Sequence, residues 1–283
     1  MRWSAPQAAL PVAGPGSELD AGGASGPCLL ETEGGRRLWY TGNDGSTSRV
    51  LVAQRAANGS WQRLGVAIEP GLAGETDEFG VEAPSVVHTP GGYLMAYAGS
   101  DGANTRLHMA SSQDGQHWTP HGAFLQREAD DAVGATDPCL VLAKQWWLFY
   151  AGYDGSLDCR RAQILAAVSQ DGASWDRVGV VIAPEPNEIA VSEPWLLISF
   201  RGYEIFFVTE GETSETAISI ATSSDGLNWS RRGTTIGRSQ VGYVNIHSPC
   251  AFRNSDGRLQ LWFAARVPSS PVESERLFFV ERE

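Results

Sequence analysis

Three acidic residues stand just before prolines at nearly regular intervals along the sequence: Glu82, Asp137 and Glu193. A carboxylic acid can protonate a leaving group, while an ionised carboxylate can remove a proton or attack an electrophile. A third carboxylate close by raises the pKa of its neighbours through like-charge repulsion. Cleavage of a glycosidic bond needs such a set, with one acid for the leaving oxygen and one carboxylate to activate water or attack the anomeric carbon. The fold must bring the three side chains together for this chemistry.

The prolines mark a repeat that can be seen in the sequence. Pro27, Pro84, Pro138, Pro194 and Pro249 are 57, 54, 56 and 55 residues apart, and each opens a predicted strand. An aromatic second strand, a third strand, a polar turn with Asp-Gly or Asn-Gly, and a tryptophan follow in most units. Asp-Gly and Asn-Gly supply the positive φ angles of tight turns. Four strands in each unit of about 55 residues predict the blades of a β-propeller.

We therefore expect an all-β chain that forms a single five-bladed β-propeller over residues 1–283, with four antiparallel strands per blade. The predicted blades cover approximately 24–70, 80–126, 135–184, 190–237, and 245–283 together with 1–13. The N-terminal segment closes the last blade in this prediction, because Trp3-Ser4-Ala5-Pro6 aligns with the fourth-strand segment that begins at Trp118. A helix over 160–168 is the alternative, but the equivalent positions of other units are β-like.

Composition and charge limit the classes of partner. Acidic residues outnumber basic ones 33 to 21, and the resulting net charge of −12 repels nucleic acid and anionic lipid surfaces. We expect a carbohydrate or small-molecule partner, no nucleic acid and no membrane. The N-terminus lacks the apolar core of a secretory signal, which predicts a cytoplasmic location. The four cysteines show no metal-ligand spacing and are expected to be reduced and structural, as three of them directly follow repeat prolines.

The repeat resembles the five-bladed glycoside hydrolase superfamily, which contains arabinanases, β-xylosidases, invertases and levansucrases. The resemblance is carried by the Pro-led first strand, by a second strand ending in Tyr-x-Gly, and by Ser-x-Asp-Gly-x-x-Trp, found at 112–118 and 169–175. It implies an active site at one mouth of the central channel, with three carboxylates from the innermost strands of consecutive blades. One is a base or nucleophile, one orients the sugar and adjusts a pKa, and one is the acid.

Carried over residue by residue, the resemblance makes Glu82 the general acid, because Glu82-Ala83-Pro84 is similar to the Glu-Gly-Pro setting of that residue. Asp137 orients the sugar and raises a neighbour's pKa, and Glu193 is the base or nucleophile. The family begins with an Asp in the first blade, where this chain has Gly26. Two alternatives therefore stay open: non-hydrolytic acid–base chemistry on a small metabolite, and a non-catalytic carbohydrate-binding or scaffold module.

Further candidates for substrate binding have alternative structural roles. Trp195 could stack on a sugar face or pack between blades. His247 could lie near a central ion or form structural hydrogen bonds, and no other cofactor is expected. Arg106 and Arg160 could bind a substrate carboxylate or phosphate. Asp154, in a repeated Asp-Gly turn, could contact substrate or only shape the turn. The sugar, the linkage and the oligomeric state do not follow from the sequence.

Overall fold

The computed structural model describes residues 2–11, 16–156, 161–199, 202–254, 256–267 and 274–283. Its regular structure is almost entirely β, with twenty strands in the described residues. The helices described are two 3₁₀ turns, Ser17–Asp20 and Ala129–Asp131, and the four-residue helix α1, Arg238–Val241. None of the helices in this part of the chain is long and apolar enough to cross a membrane.

The strands group in chain order into five units of four antiparallel strands, of which the second and third are joined in one eight-stranded sheet by a parallel bridge between Gly134 and Thr105. The first contains β2 (Gly23–Thr32), β3 (Gly35–Asn43), β4 (Ser48–Arg55) and β5 (Trp61–Ile68). The second contains β6 (Gly80–Thr89), β7 (Gly92–Ser100), β8 (Thr105–Ser112) and β9 (Thr119–Ala123). The third contains β10 (Gly134–Leu142), β11 (Trp146–Tyr153), β12 (Ala162–Ser169) and β13 (Asp176–Ile182). Residues 162–169 are thus a strand, not the alternative helix.

The fourth unit contains β14 (Glu188–Ser199), β15 (Gly202–Gly211), β16 (Thr216–Ser223) and β17 (Ser230–Ile236). The fifth contains β18 (Val244–Arg253), β19 (Leu259–Arg266) and β20 (Arg276–Glu281), and its outer strand is the N-terminal β1 (Gln7–Ala8). β1 pairs antiparallel with β20, the position that the alignment of the N-terminal segment predicts. The first strands β2, β6, β10, β14 and β18 contact one another in a cycle that includes β18 with β2.

Each first strand carries a β-bulge at its proline. The antiparallel register shifts between the residue two before the proline and the residue after it in all five units. A proline has no N–H to give to the ladder, and a bulge is one of the few places in a sheet that tolerate it. The residue directly before each proline has a left-handed φ of 51° to 54°. This bulge sets the backbone conformation of the residues directly before the prolines, which include Asp137 and Glu193.

The residue after the proline joins neighbouring units. The backbone N–H of Val86 donates to Cys28 Sγ at 3.2 Å, that of Leu140 to Ser85 Oγ at 2.8 Å, and that of Leu196 to Cys139 Sγ at 3.2 Å. Cys28, Cys139 and Cys250 are buried and free, and burial raises the pKa of Cys28 and Cys139 to about 12. These three thiols are structural hydrogen-bond acceptors, as predicted, while Cys159 lies outside the described residues.

Candidate active site

The five bulges meet around a narrow central pocket. Its walls are the repeat prolines and the residues beside them, including Gly26, Ala83, Asp137, Glu193 and Ser248. The residues directly before the prolines are therefore structural equivalents, and Glu82 occupies the position before that, equivalent to His247. The cavity inside this ring is about 30 Å³, which is far below the roughly 300 Å³ typical of a small-ligand pocket. The interior of the ring is therefore too small for a sugar-sized molecule.

Gly26 fills the first-unit position of the ring because a side chain would be crowded there. A Cβ atom at Gly26 would lie 3.0 Å from Thr41 Oγ1 and 3.1 Å from Ala83 Cα. Thr41 Oγ1 accepts the backbone N–H of Ala83 at 2.8 Å, so this hydroxyl is fixed in place. A carboxylate at position 26 would thus need the second unit to shift. The acidic side chains of the ring come instead from later units.

Glu193 is held by a dense set of donors at the mouth. Its Oε2 accepts the Ser248 backbone N–H at 2.5 Å and the Ser248 hydroxyl at 2.9 Å, and lies 3.4 Å from His247 Nδ1. Burial raises the pKa of Glu193, but the His247 charge and the Ser248 hydrogen bonds outweigh burial and hold this pKa below its ordinary value. Glu193 is an ionised carboxylate that accepts several hydrogen bonds.

His247 lies between two carboxylates. Its Nδ1 is 3.0 Å from Ser248 Oγ, and its Nε2 is 3.1 Å from Glu275 Oε2. Burial lowers the pKa of His247, yet Glu193 and then Glu275 raise it to about 10. Asn245 Nδ2 in turn donates to Glu275 Oε1 at 2.5 Å. The imidazole is therefore cationic near neutral pH and compensates the Glu193 charge.

Both ring nitrogens of His247 have oxygen neighbours within the protein, Ser248 Oγ and Glu275 Oε2, at the position where a central ion was predicted. Among the described residues, no group of three or more His, Cys, Asp or Glu side chains is arranged to hold a metal. The ion stays a prediction, and no step below depends on it.

Asp137 lies in the ring between Ala83 and Glu193. Burial raises its pKa well above the ordinary value, and the charges of Glu193 and Glu82 raise it further. Asp137 and Glu193 line the same narrow pocket, whereas Glu82 is exposed to solvent beside it, and protonation of Asp137 relieves the repulsion from both neighbours. The fold thus brings together the three acids singled out from the sequence.

Glu82 extends this group into a side cleft between the second and third units. The cleft has a volume of about 370 Å³ and is also lined by Ser100, Asn104, Thr136 and Tyr153. The Glu82 side chain is reached by solvent within this concave surface. Burial of the carboxyl group raises the pKa of Glu82 most, and the Glu193 charge raises it further. The His247 charge acts in the opposite direction. A carboxyl group in this state keeps its proton to a higher pH than an ordinary glutamate.

The other predicted binding residues have varied surroundings. Trp195 lines the central pocket, donates from Nε1 to Ala251 O at 3.0 Å, and packs against the cores of several units. These are packing contacts, and the stacking of Trp195 on a sugar stays a prediction. Arg106 lies on β8 with its guanidinium 3.6 Å from Asp101. Asp154 accepts the Ser156 N–H at 2.7 Å and so shapes its turn. Arg160 lies outside the described residues.

Glu275 and Asn245 belong to the site but carried no signal in the sequence. Glu275 precedes β20 and lies outside every repeated motif, and Asn245 is two residues before His247 in β18, where the register with β19 shifts. Their contact spans 30 residues of chain and depends on how β18 and β20 are placed in one unit. His247, which has the same place before its proline as Glu82 and Thr136, is the sequence signal on this side of the mouth.

The all-β architecture is shared with glycoside hydrolases of known structure. A glycoside hydrolase aligns with a TM-score of 0.80 at 14% identity, covering 99% of this chain and 91% of that one. A thermostable family-43 glycoside hydrolase aligns with a TM-score of 0.71 at 17% identity, covering 91% and 88%. Sucrose-6-phosphate hydrolase from Lactobacillus gasseri aligns with a TM-score of 0.71 at 14% identity, covering 89% and 58%. At these identities the likeness is one of fold.

The family follows from the sequence itself. Residues 102–253, more than half of the chain, match the model of the glycosyl hydrolases family 32 N-terminal domain. The chain belongs to this family. No curated protein sequence matches it significantly.

Proposed function

We propose that the chain is a single five-bladed β-propeller that cleaves a glycosidic bond at the mouth of its central channel. The five antiparallel units, the cyclic contacts of their first strands and the pairing of β1 with β20 support the architecture. Membership of a glycosyl hydrolase family supports the reaction class. In this proposal each unit is one blade, and the substrate is a carbohydrate.

The observation that carries the proposal is the contrast in surroundings between two carboxylates: Glu193 accepts two hydrogen bonds from Ser248 beside His247, whereas the Glu82 carboxyl group has no hydrogen bond among the described residues. Glu82 has a raised pKa and is the general acid that protonates the leaving oxygen. Glu193 has a lowered pKa and is the base or nucleophile on the ionised side of the pair. Glycosidases need one protonated and one ionised carboxyl group at the same pH, and different surroundings are how two carboxyl groups acquire the two roles.

Asp137 is the third member of this proposed set. Its strongly raised pKa keeps it neutral beside Glu193, where it can donate a hydrogen bond to a sugar hydroxyl. In its ionised form, its charge would raise the pKa of Glu82 and favour the acid. Gly26 places no carboxylate in the first blade, so the catalytic set is moved by one blade relative to the family pattern and runs from the second blade to the fourth.

The test is a set of isosteric amide variants, Glu82→Gln, Asp137→Asn and Glu193→Gln, assayed against a panel of activated aryl glycosides and disaccharides. Glu33→Gln is the matched control, because Glu33 is an exposed glutamate in the turn between β2 and β3. We expect Glu193→Gln and Asp137→Asn to lose about three orders of magnitude or more in turnover on the substrate found for the wild type. Glu33→Gln should keep full activity.

Circular dichroism and thermal unfolding establish that each variant is folded. Full hydrolysis by all three folded active-site variants would contradict the assignment. A wild type that binds sugars but hydrolyses none of the panel would favour the non-catalytic alternative.

A further inference from the structure

A second cleft opens between the fourth and fifth units. Its volume is about 360 Å³, and it is formed by the turn between β15 and β16, helix α1, the start of β18 and the end of β19. The lining residues that bear on a ligand are Arg238, Arg266, Glu215, Thr216, Tyr243 and Asn245. Two guanidinium groups thus face one carboxylate from the walls of this cleft, in a chain whose net charge is −12.

Two buried polar atoms of these lining residues have no hydrogen-bond partner in the described part of the chain: Arg266 Nε and Thr216 Oγ1. A guanidinium N–H can only donate, and a threonine hydroxyl can donate to an acceptor. Buried donors without partners are unfavourable, so the cleft is suited to a ligand that brings acceptor oxygens. An oxyanion supplies several, and arginine binds phosphate and carboxylate in a bidentate manner.

The acidic groups near Arg266 do not neutralise the cleft. The Arg266 charge contributes to the lowered pKa of Glu275, but that carboxylate is already engaged by His247 at 3.1 Å and by Asn245 at 2.5 Å. Glu215 is exposed at the rim of the cleft. In the part of the chain that the structure describes, neither Arg238 nor Arg266 is in an ion pair within 4.0 Å, which leaves their charge available to a ligand.

The cleft is also joined to the catalytic mouth. Asn245 lines the cleft and donates to Glu275, Glu275 contacts His247, and His247 lies 3.4 Å from Glu193. A group bound against Asn245 is thus separated from the proposed base only by this short chain of contacts.

We propose that this cleft binds an oxyanion carried by the substrate, either a phosphate ester or a sugar carboxylate. Arg266 and Arg238 supply the positive charge, and the hydroxyl groups of Thr216 and Tyr243 supply further donors. This inference rests on the proposed function, which it extends by making the substrate an acidic carbohydrate.

The test is calorimetric titration at low salt with three probes: inorganic phosphate, glucuronate and glucose. The variants are Arg238→Gln and Arg266→Gln, and the matched control is Arg253→Gln, which removes the same charge from an exposed position at the end of β18 outside the cleft. We expect phosphate or glucuronate to bind the wild type and the control saturably. Binding should weaken at least about tenfold in the two cleft variants, because each loses a charge-assisted hydrogen bond. Glucose binding should not differ among the four proteins.

The anion that binds more tightly, phosphate or glucuronate, indicates whether the substrate carries a phosphate ester or a sugar carboxylate. Arg238 is exposed, so Arg238→Gln tests the cleft without disturbing a packed side chain. The inference is overturned if neither anion binds the wild type, or if both cleft variants bind as tightly as the control. Hydrolysis by the Glu82, Asp137 and Glu193 variants is measured separately. If these variants lose hydrolysis but the wild type binds neither anion, only the cleft proposal is refuted. If the wild type binds an anion in the cleft but the three active-site variants keep full hydrolysis, only the catalytic assignment is refuted.

Discussion

Glu82 and Glu193 lie at the same mouth, but their surroundings favour opposite protonation states. Glu193 accepts two hydrogen bonds from Ser248 and lies against a cationic His247. Glu82 has no hydrogen bond to its carboxyl group among the described residues, and desolvation and the Glu193 charge both act on it. The two glutamates have the same intrinsic acidity, but their pKa values differ. Glu193 has a cation and hydrogen-bond donors beside it, whereas Glu82 has a carboxylate. This difference in pKa can be tested by changing Glu82 or by changing the residues around Glu193.

Glu82→Gln should have a large effect that depends on the leaving group. A general acid matters when the departing alcohol is a poor leaving group, and typically contributes about 10²–10⁴-fold. We expect a loss of that size on alkyl glycosides or disaccharides and little loss on a nitrophenyl glycoside, measured as kcat/KM. An equal loss on both substrate types would mean that Glu82 is not the acid.

His247→Gln tests the other side of the comparison. Activity requires ionised Glu193, so kcat/KM falls as pH falls through the pKa of Glu193. Without the imidazolium charge this pKa rises, by about 1–3 units for loss of an adjacent opposite charge, and the acid limb of the pH profile moves to higher pH. The alkaline limb, where Glu82 loses its proton, should change less because His247 affects Glu82 only through its charge, whereas it affects Glu193 through both its charge and a hydrogen bond. An unmoved acid limb would refute the role of His247.

Glu275→Gln should have a smaller effect, because Glu275 acts on Glu193 only through His247. Removal of one of its two carboxylate neighbours lowers the His247 pKa from about 10, while Glu193 still favours the cation. We expect the NMR titration of His247 to shift downward and the acid limb to move less than in His247→Gln. Glu275 is a positioning residue, and a shift of the acid limb without a change in the His247 titration would contradict this.

Gly26→Ala should affect stability more than chemistry. The added Cβ would meet Thr41 Oγ1 and Ala83 Cα at 3.0 and 3.1 Å, at a φ of 53°. We expect a loss of about 1–3 kcal/mol in the free energy of unfolding. Gly122→Ala is the matched control, since Gly122 also has a positive φ but has nothing within 4 Å of the added Cβ. Similar losses in both variants would show that crowding does not explain the glycine.

The repeat and the three acids could be predicted because proline spacing and turn motifs are local patterns that a β-fold repeats. Asp137 and Glu193 could be placed before their prolines in the same way. The left-handed φ at those positions could not, because the residue before a proline ordinarily favours extended backbone. Glu275 was missed because its contact with His247 depends on two strands of the last unit meeting in space. The protonation of Glu193 likewise depends on Ser248 and His247, whose proximity only the fold creates.

The central claim is the difference in acidity between Glu82 and Glu193, and a carboxyl-carbon NMR titration measures it most directly. Selective ¹³C labelling of glutamate, with Glu82→Gln and Glu193→Gln used to assign the two signals, follows each group through the acidic range. We predict that Glu193 titrates below the ordinary glutamate value of 4.5 and Glu82 above it. Titration of both groups near 4.5, or of Glu193 above Glu82, would contradict the account.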